Sequence, residues 1–191
     1  VDIRRGLPFV DIVGLPDSAI KEARERVRAA IRNAGFEFPL DRVLISLAPA
    51  GLKKSGAQFD LPIALALLMA SGQIDVLPDS VVALGELALS GRVLPVSGVL
   101  SAIANAKQQG FRNVIIPEAN AAEASVIQGV TLIPIAHLRD AVTICGSLSN
   151  SSESETAISD LTRSGNLIVE ASAHAHTVVQ DKQIDLGNSS T

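Results

Sequence analysis

The chain has one cysteine, Cys145, in 191 residues. That excludes an internal disulfide framework and makes a reducing cytosol the expected compartment. There is no Trp and no Tyr. The five Phe (Phe9, Phe36, Phe38, Phe59, Phe111) are scattered, so the stacked aromatic platform that grips single-stranded nucleic acid cannot be read here. No apolar run approaches the roughly 18–20 residues of a spanning helix. The longest, Leu61–Ala70, contains Pro62. No basic-then-apolar leader opens the sequence, so a cytoplasmic protein without membrane attachment is expected.

Excess positive charge is also missing. Residues 1–146 carry fourteen Lys/Arg and fourteen Asp/Glu. The net charge of −4 comes from residues 147–191, where Glu153, Glu155, Asp160, Glu170, Asp181 and Asp185 face only Arg163 and Lys182. A general polyanion-binding surface is not implied by either part. The Ser-rich acidic segment 147–191 lacks lasting periodicity and reads as a disordered tail.

What is present is an apolar content of 47%, enough for a substantial core, arranged as short strands alternating with helices. Val1–Arg4, Phe9–Val13 and Arg42–Leu47 read as strands. Asp17 or Ser18 opens a helix that Gly35 stops, with Ile20, Ala23, Val27, Ala30, Ile31 and Ala34 as its buried stripe. After the loop Pro49–Ala57, Asp60 is expected to cap a helix reaching about Ser71. That helix has almost no polar face and should be central. "VVALGELALSGRVLPVSG" reads as a hairpin turning at Ser90-Gly91. Helix Val99–Gln109, strand Asn113–Pro117, helix Glu118–Gln128, strand Val130–Pro134 and helix Leu138–Cys145 complete the order. The fold class is α/β, or α+β: a two-layer arrangement with a mixed sheet and packed helices.

Three ungapped stretches, "IVGLPDSAIKEARERVRAAI", "LAPAGLKKSGAQFDLPIAL" and "LGELALSGRVLPVSGVL", carry a family resemblance. Residues 1–146 resemble the N-terminal domain of the magnesium-chelatase-like AAA+ ATPases, the YifB/ComM competence-protein group. The resemblance implies a ribosomal-S5-domain-2-like fold shared with the Lon protease domain. It also implies ATP-driven remodelling of DNA by full-length relatives, such as branch migration in recombination or natural transformation, and a ring, such as a hexamer, as the working form. ATP and magnesium are expected only for the AAA+ module, which these 191 residues do not include. The family's first strand, ahead of Val1, is also not among them, and Gly51 stands where relatives often carry an acidic or amide residue. A natural fragment is therefore one reading of the chain.

Four site chemistries bear on these residues. A Ser–Lys peptidase needs a nucleophilic Ser and a neutral Lys to accept its proton. Alignment to Lon places Gln58 at the Ser position and Ala102 at the Lys position, so neither reacting group is there. Ser55 lies three residues early, and Lys107 lies about 140° round its helix from Ala102. Phosphate binding fails too: Gly51 and Gly56 give G-x-x-x-x-G, but Ala57-Gln58 follows where Lys-Ser/Thr is required. Nucleic-acid or interface contact remains for Lys21, Arg24, Arg28 and Arg32, which recur at helical spacing, with Lys53 and Lys54 as a basic loop. A solvated helix face, with Glu22, Glu25 and Arg26 beside it making weak pairs, is the alternative reading. A metal site is not expected: His174, His176 and Glu170 lie in the tail, and His137 stands alone. The expectation is a non-catalytic accessory domain whose partners are an AAA+ motor or further copies in a ring, and DNA. The alternatives are a Lon-type peptidase and a helper in tetrapyrrole synthesis.

Overall fold

The computed structural model describes residues 1–75, 77, 81–141 and 143–145. Strands β1 (Asp2–Arg4), β2 (Phe9–Val13) and β3 (Arg42–Ser46) form a mixed sheet in the order β1-β3-β2. β3 runs antiparallel to β1 and parallel to β2, with Val10 beside Val43 and Ile12 beside Ile45. Alternation decides the faces: Val43 and Ile45 are buried, whereas Arg42, Leu44 and Ser46 point outward.

A parallel β2–β3 pair needs a helical crossover, and α1 (Ser18–Asn33) supplies it. Asp17 is its N-cap; one carboxylate oxygen accepts from the Ile20 N–H at 2.9 Å and the other from the Gly56 N–H at 3.1 Å. One residue thus starts α1 and ties it to the loop before the next helix. The expected stripe is buried along α1, and Gly35 (φ +89°) ends it.

After a 3-10 turn (Ala57–Phe59), α2 (Asp60–Ala70) runs through the main core. Leu61, Ala64, Leu65 and Leu68 are all 0% exposed. The helix has no polar face because protein surrounds it on all sides. β4 (Val81–Ala83), β7 (Asn113–Pro117) and β8 (Thr131–Ile135) make a second, parallel sheet in the order β4-β7-β8. Between β4 and β7 come the hairpin β5 (Glu86–Leu87)–β6 (Val93–Leu94) and α3 (Val99–Gln108). The hairpin is shorter than its sequence suggests, because Val81–Ala83 pair with β7 instead.

Two expectations need correction. The helix foreseen over Glu118–Gln128 is a 3-10 turn (Glu118–Asn120) followed by a four-residue α4 (Ala121–Ala124). Asn120 is buried and spends its amide on the backbone of Val96, accepting from its N–H and donating to its C=O, both at 3.0 Å. Beyond Ala124 the chain turns, through Gly129 (φ +84°), and Ile127 and Val130 on either side of that turn pack on a second core cluster built around Val99, Ile103, Val114 and Ile116.

The second correction concerns Asp60. The residue preceding α2 is Phe59, and no side chain caps that helix. Asp60 is wholly buried and turned toward α1. The expected tail 147–191, with His174, His176 and Glu170, lies outside the described residues.

Candidate functional site

The mouth of α2 is built by short backbone clasps. The Gly85 N–H donates to the Gln58 carbonyl at 3.0 Å, and the Leu61 N–H donates to the Gly85 carbonyl at 2.9 Å. At Gly85 a Cβ would stand 3.0 Å from Val93 Cγ1 and 3.1 Å from Leu61 Cδ2, so glycine allows the β4–β5 connection to lie against the helix start.

The Gln58 side-chain amide donates to the Ser55 carbonyl at 2.8 Å. Ala102, on α3, packs against the second core cluster. The exposed Lys107 donates to the Gln128 carbonyl at 2.8 Å, a link from α3 to the approach to β8. Ser55 is exposed on the loop. Gln58, Ala102 and Lys107 each have a structural engagement, and Lys107 and Ser55 are not bonded to each other.

Inside the mouth lies an ion pair. Arg26 grips Asp60 with two hydrogen bonds, Nε to Oδ2 at 2.9 Å and an Nη to Oδ1 at 3.1 Å, and also donates to the Ala19 carbonyl at 3.0 Å. The Leu87 N–H adds a third donor to the carboxylate at 3.3 Å. Burial pushes the Asp60 carboxyl up, while Arg26 and the Leu87 N–H pull it back. The hydrogen bond to Asp60 raises Arg26. These tendencies oppose each other. The two-pronged geometry and the intrinsic basicity of a guanidinium favour the ionised pair at neutral pH. Sequence reasoning assigned Arg26 to weak surface pairs; its contact with Glu22 is only 4.0 Å.

The six basic residues divide. Lys21, Arg24, Arg32 and Lys53 are exposed. Arg24 pairs with its neighbour Glu25 at 3.0 Å. Arg28 is half-buried, its guanidinium 5.6 Å above the Phe38 ring, within cation–π range. Lys54 contradicts the basic-loop expectation: it is 0% exposed, and its ammonium donates to the Pro49 carbonyl. The cause is local. The Lys54 backbone pairs with Leu15 and Asp17 (N–H to Leu15 O at 3.2 Å, Asp17 N–H to Lys54 O at 3.1 Å), which draws the residue beneath its own loop. Burial lowers its pKa.

Arg28 and Arg32 line an open groove of about 770 Å³, with Phe36, Phe38, Leu40 and Gln73 among its walls. A smaller hollow of about 200 Å³ continues it past Arg24 to Phe9. Leu40, 73% exposed, stands on the shared rim. The structure therefore joins three of the predicted cations to an apolar trough whose residues are distant in sequence.

His137 serves as a clasp. Its Nδ1 accepts from the Arg139 N–H at 3.2 Å, which leaves Nε2 to donate to the Ser90 carbonyl at 3.1 Å. Among the described residues no group of three or more His, Cys, Asp and Glu is placed to hold a metal. No helix among them is long and apolar enough to cross a membrane.

The chain is similar to known proteins. The family model described as subunit ChlI of Mg-chelatase matches residues 1–120. The protein YifB of Salmonella typhimurium is 44% identical over 149 residues, 78% of this chain and 29% of that protein. The competence protein ComM of Haemophilus influenzae is 44% identical over 128 residues, 66% of this chain and 25% of ComM. The archaeal Lon protease of Methanocaldococcus jannaschii is 33% identical over 108 residues, 56% of this chain and 16% of that protease. The chain spans less than a third of the length of the YifB and ComM relatives. The Lon similarity fits the mixed α/β architecture, a Lon-like fold. With more than half its length matched, the chain belongs to the magnesium-chelatase ChlI-subunit family.

Proposed function

We propose that this chain is a non-catalytic accessory domain of a ComM/YifB-like AAA+ protein, one that remodels DNA with ATP in its full-length form. Its contribution is contact, with DNA and with neighbouring subunits of a ring, through the exposed cations of α1. ATP and magnesium belong to the motor module and not to these residues, and the setting is cytoplasmic. The observation that carries the reading is the exposure of Lys21, Arg24 and Arg32 along α1, while Gln58 and Asp60 at the α2 mouth are bonded to backbone and to Arg26. Cations on a helix face position phosphates without reading sequence.

The test is fluorescence anisotropy of labelled branched and linear DNA against the chain at several salt concentrations. Binding should weaken with salt, and the charge reversals K21E and R32E should each lower the slope of log K against log salt by about one. Affinity unchanged by either reversal removes DNA from the reading.

A further inference from the structure

The groove beside α1 suits a peptide better than a phosphodiester strand. Its walls mix two signs of charge: Arg28 and Arg32 stand with Glu37 and Asp41 around a trough of Phe36 and Leu40. Carboxylates repel a nucleic-acid backbone, and exposed apolar side chains gain nothing from it. Neither Arg28 nor Arg32 has a carboxylate partner among the described residues. A segment that offers both a short apolar run and a carboxylate would fill the trough and pair a guanidinium on its wall.

The chain carries such a segment. Residues 1–146 are charge-balanced, and the whole acidic excess lies in 147–191, where Leu167-Ile168-Val169 is followed directly by Glu170. The described residues end at Cys145, buried in the same core cluster as Ile74, the sequence neighbour of the groove residue Gln73. From Cys145 to Leu167 an extended chain reaches roughly 70 Å, well beyond the ~15 Å radius of gyration of a domain this size. Reach is therefore no obstacle, and tethering gives the segment a high effective concentration at the groove.

We propose that the groove between α1 and residues 36–41 is the docking site of the chain's own C-terminal segment, engaged by Leu167–Val169 in the trough and by Glu170 on Arg32. A second copy of the described fold is the poorer occupant, because it brings no acidic excess. The proposal stands apart from DNA contact, and its test contains no DNA.

The experiment is paramagnetic relaxation in the ¹⁵N-labelled full chain, with a nitroxide on Ser172→Cys. Cys145 is wholly buried and stays unlabelled in the native protein. Amide signals of Phe36–Asp41 and Gln73 should lose at least half their intensity. That loss should be absent when spin-labelled chain without ¹⁵N is mixed with ¹⁵N chain without a label. It should vanish in the quadruple variant L167S/I168S/V169S/E170K, and fall at least twofold in R32E, with α2 signals unmoved in both. Undiminished signals in the first sample would overturn the proposal. So would broadening in the mixed sample, which would make a second copy the occupant, or broadening that survives the quadruple variant.

Discussion

The carboxylate of Asp60, the first residue of α2, has no solvent exposure and is held in a two-pronged hydrogen-bonded pair by Arg26, 34 positions earlier on α1. This pair, with the Leu87 N–H as third donor, pins the central helix to the crossover helix and to the hairpin. Its use is architectural.

Breaking the pair from one side should be costly, because a desolvated carboxylate would lose its counter-charge. Arg26→Leu is expected to destabilise the fold by about 3–5 kcal/mol, and Asp60→Leu with Arg26→Leu by less than Arg26→Leu alone. Urea titration of both variants, read as a double-mutant cycle, checks this. A loss in the double variant as large as that in Arg26→Leu would show that packing, not charge, governs the site.

The central position of α2 makes its leucines expensive to truncate. Leu65→Ala or Leu68→Ala, both 0% exposed, should each cost about 2–5 kcal/mol by leaving a cavity. Thermal and chemical denaturation measure it, and a loss under ~1 kcal/mol in both variants would contradict a central helix.

Gly14 sits at φ +104°, where a Cβ would come within 2.0 Å of the Leu47 carbonyl oxygen. Backbone, not a flexible side chain, blocks the space, so Gly14→Ala must push β2 away from the residue that follows β3. A loss of at least ~2 kcal/mol is expected, larger than for Gly35→Ala, where no heavy atom lies within 4 Å and only the backbone strain remains. Parallel melting curves of the two variants test the order.

Cys145 gives the pH dependence. Burial first, and the Asp75 carboxylate second, push its thiol up to about 11. An unfolded thiol titrates near 8.5. Between those values the unfolded chain releases a proton that the folded chain keeps, so ionisation favours unfolding. The contribution is intact below about pH 8.5 and fades as pH rises toward 11. Stability curves from pH 7 to pH 11 should fall in that window for the native chain and fall less for Cys145→Ala. Alkylation by iodoacetamide at pH 8 should be slow until urea is added.

Local rules made much of the fold legible. The Asp17 cap, the α1 stripe, Phe9–Val13 and Asn113–Pro117 all follow from spacing within a few residues. The misreadings share one cause, partners far along the chain. Asp60 looks like a cap because its sequence neighbourhood begins a helix, yet Arg26 claims it from α1. Lys54 looks like a solvated loop cation, yet Leu15 and Asp17 draw its backbone inward. Asn120 sits in a helical pattern and leaves it for Val96, 24 positions away. The groove was half legible: the spacing of Arg24, Arg28 and Arg32 put them on one helix face, but Leu40 and Gln73 join them only in three dimensions.

Peptide turnover tests most directly whether the mouth of α2 is a structural junction. A fluorogenic peptide library incubated with the native chain and with Ser55→Ala, across pH 6 to 10, should give the same rate as buffer in every case. Hydrolysis by the native chain that disappears in Ser55→Ala would place a working nucleophile at the mouth and contradict the non-catalytic reading.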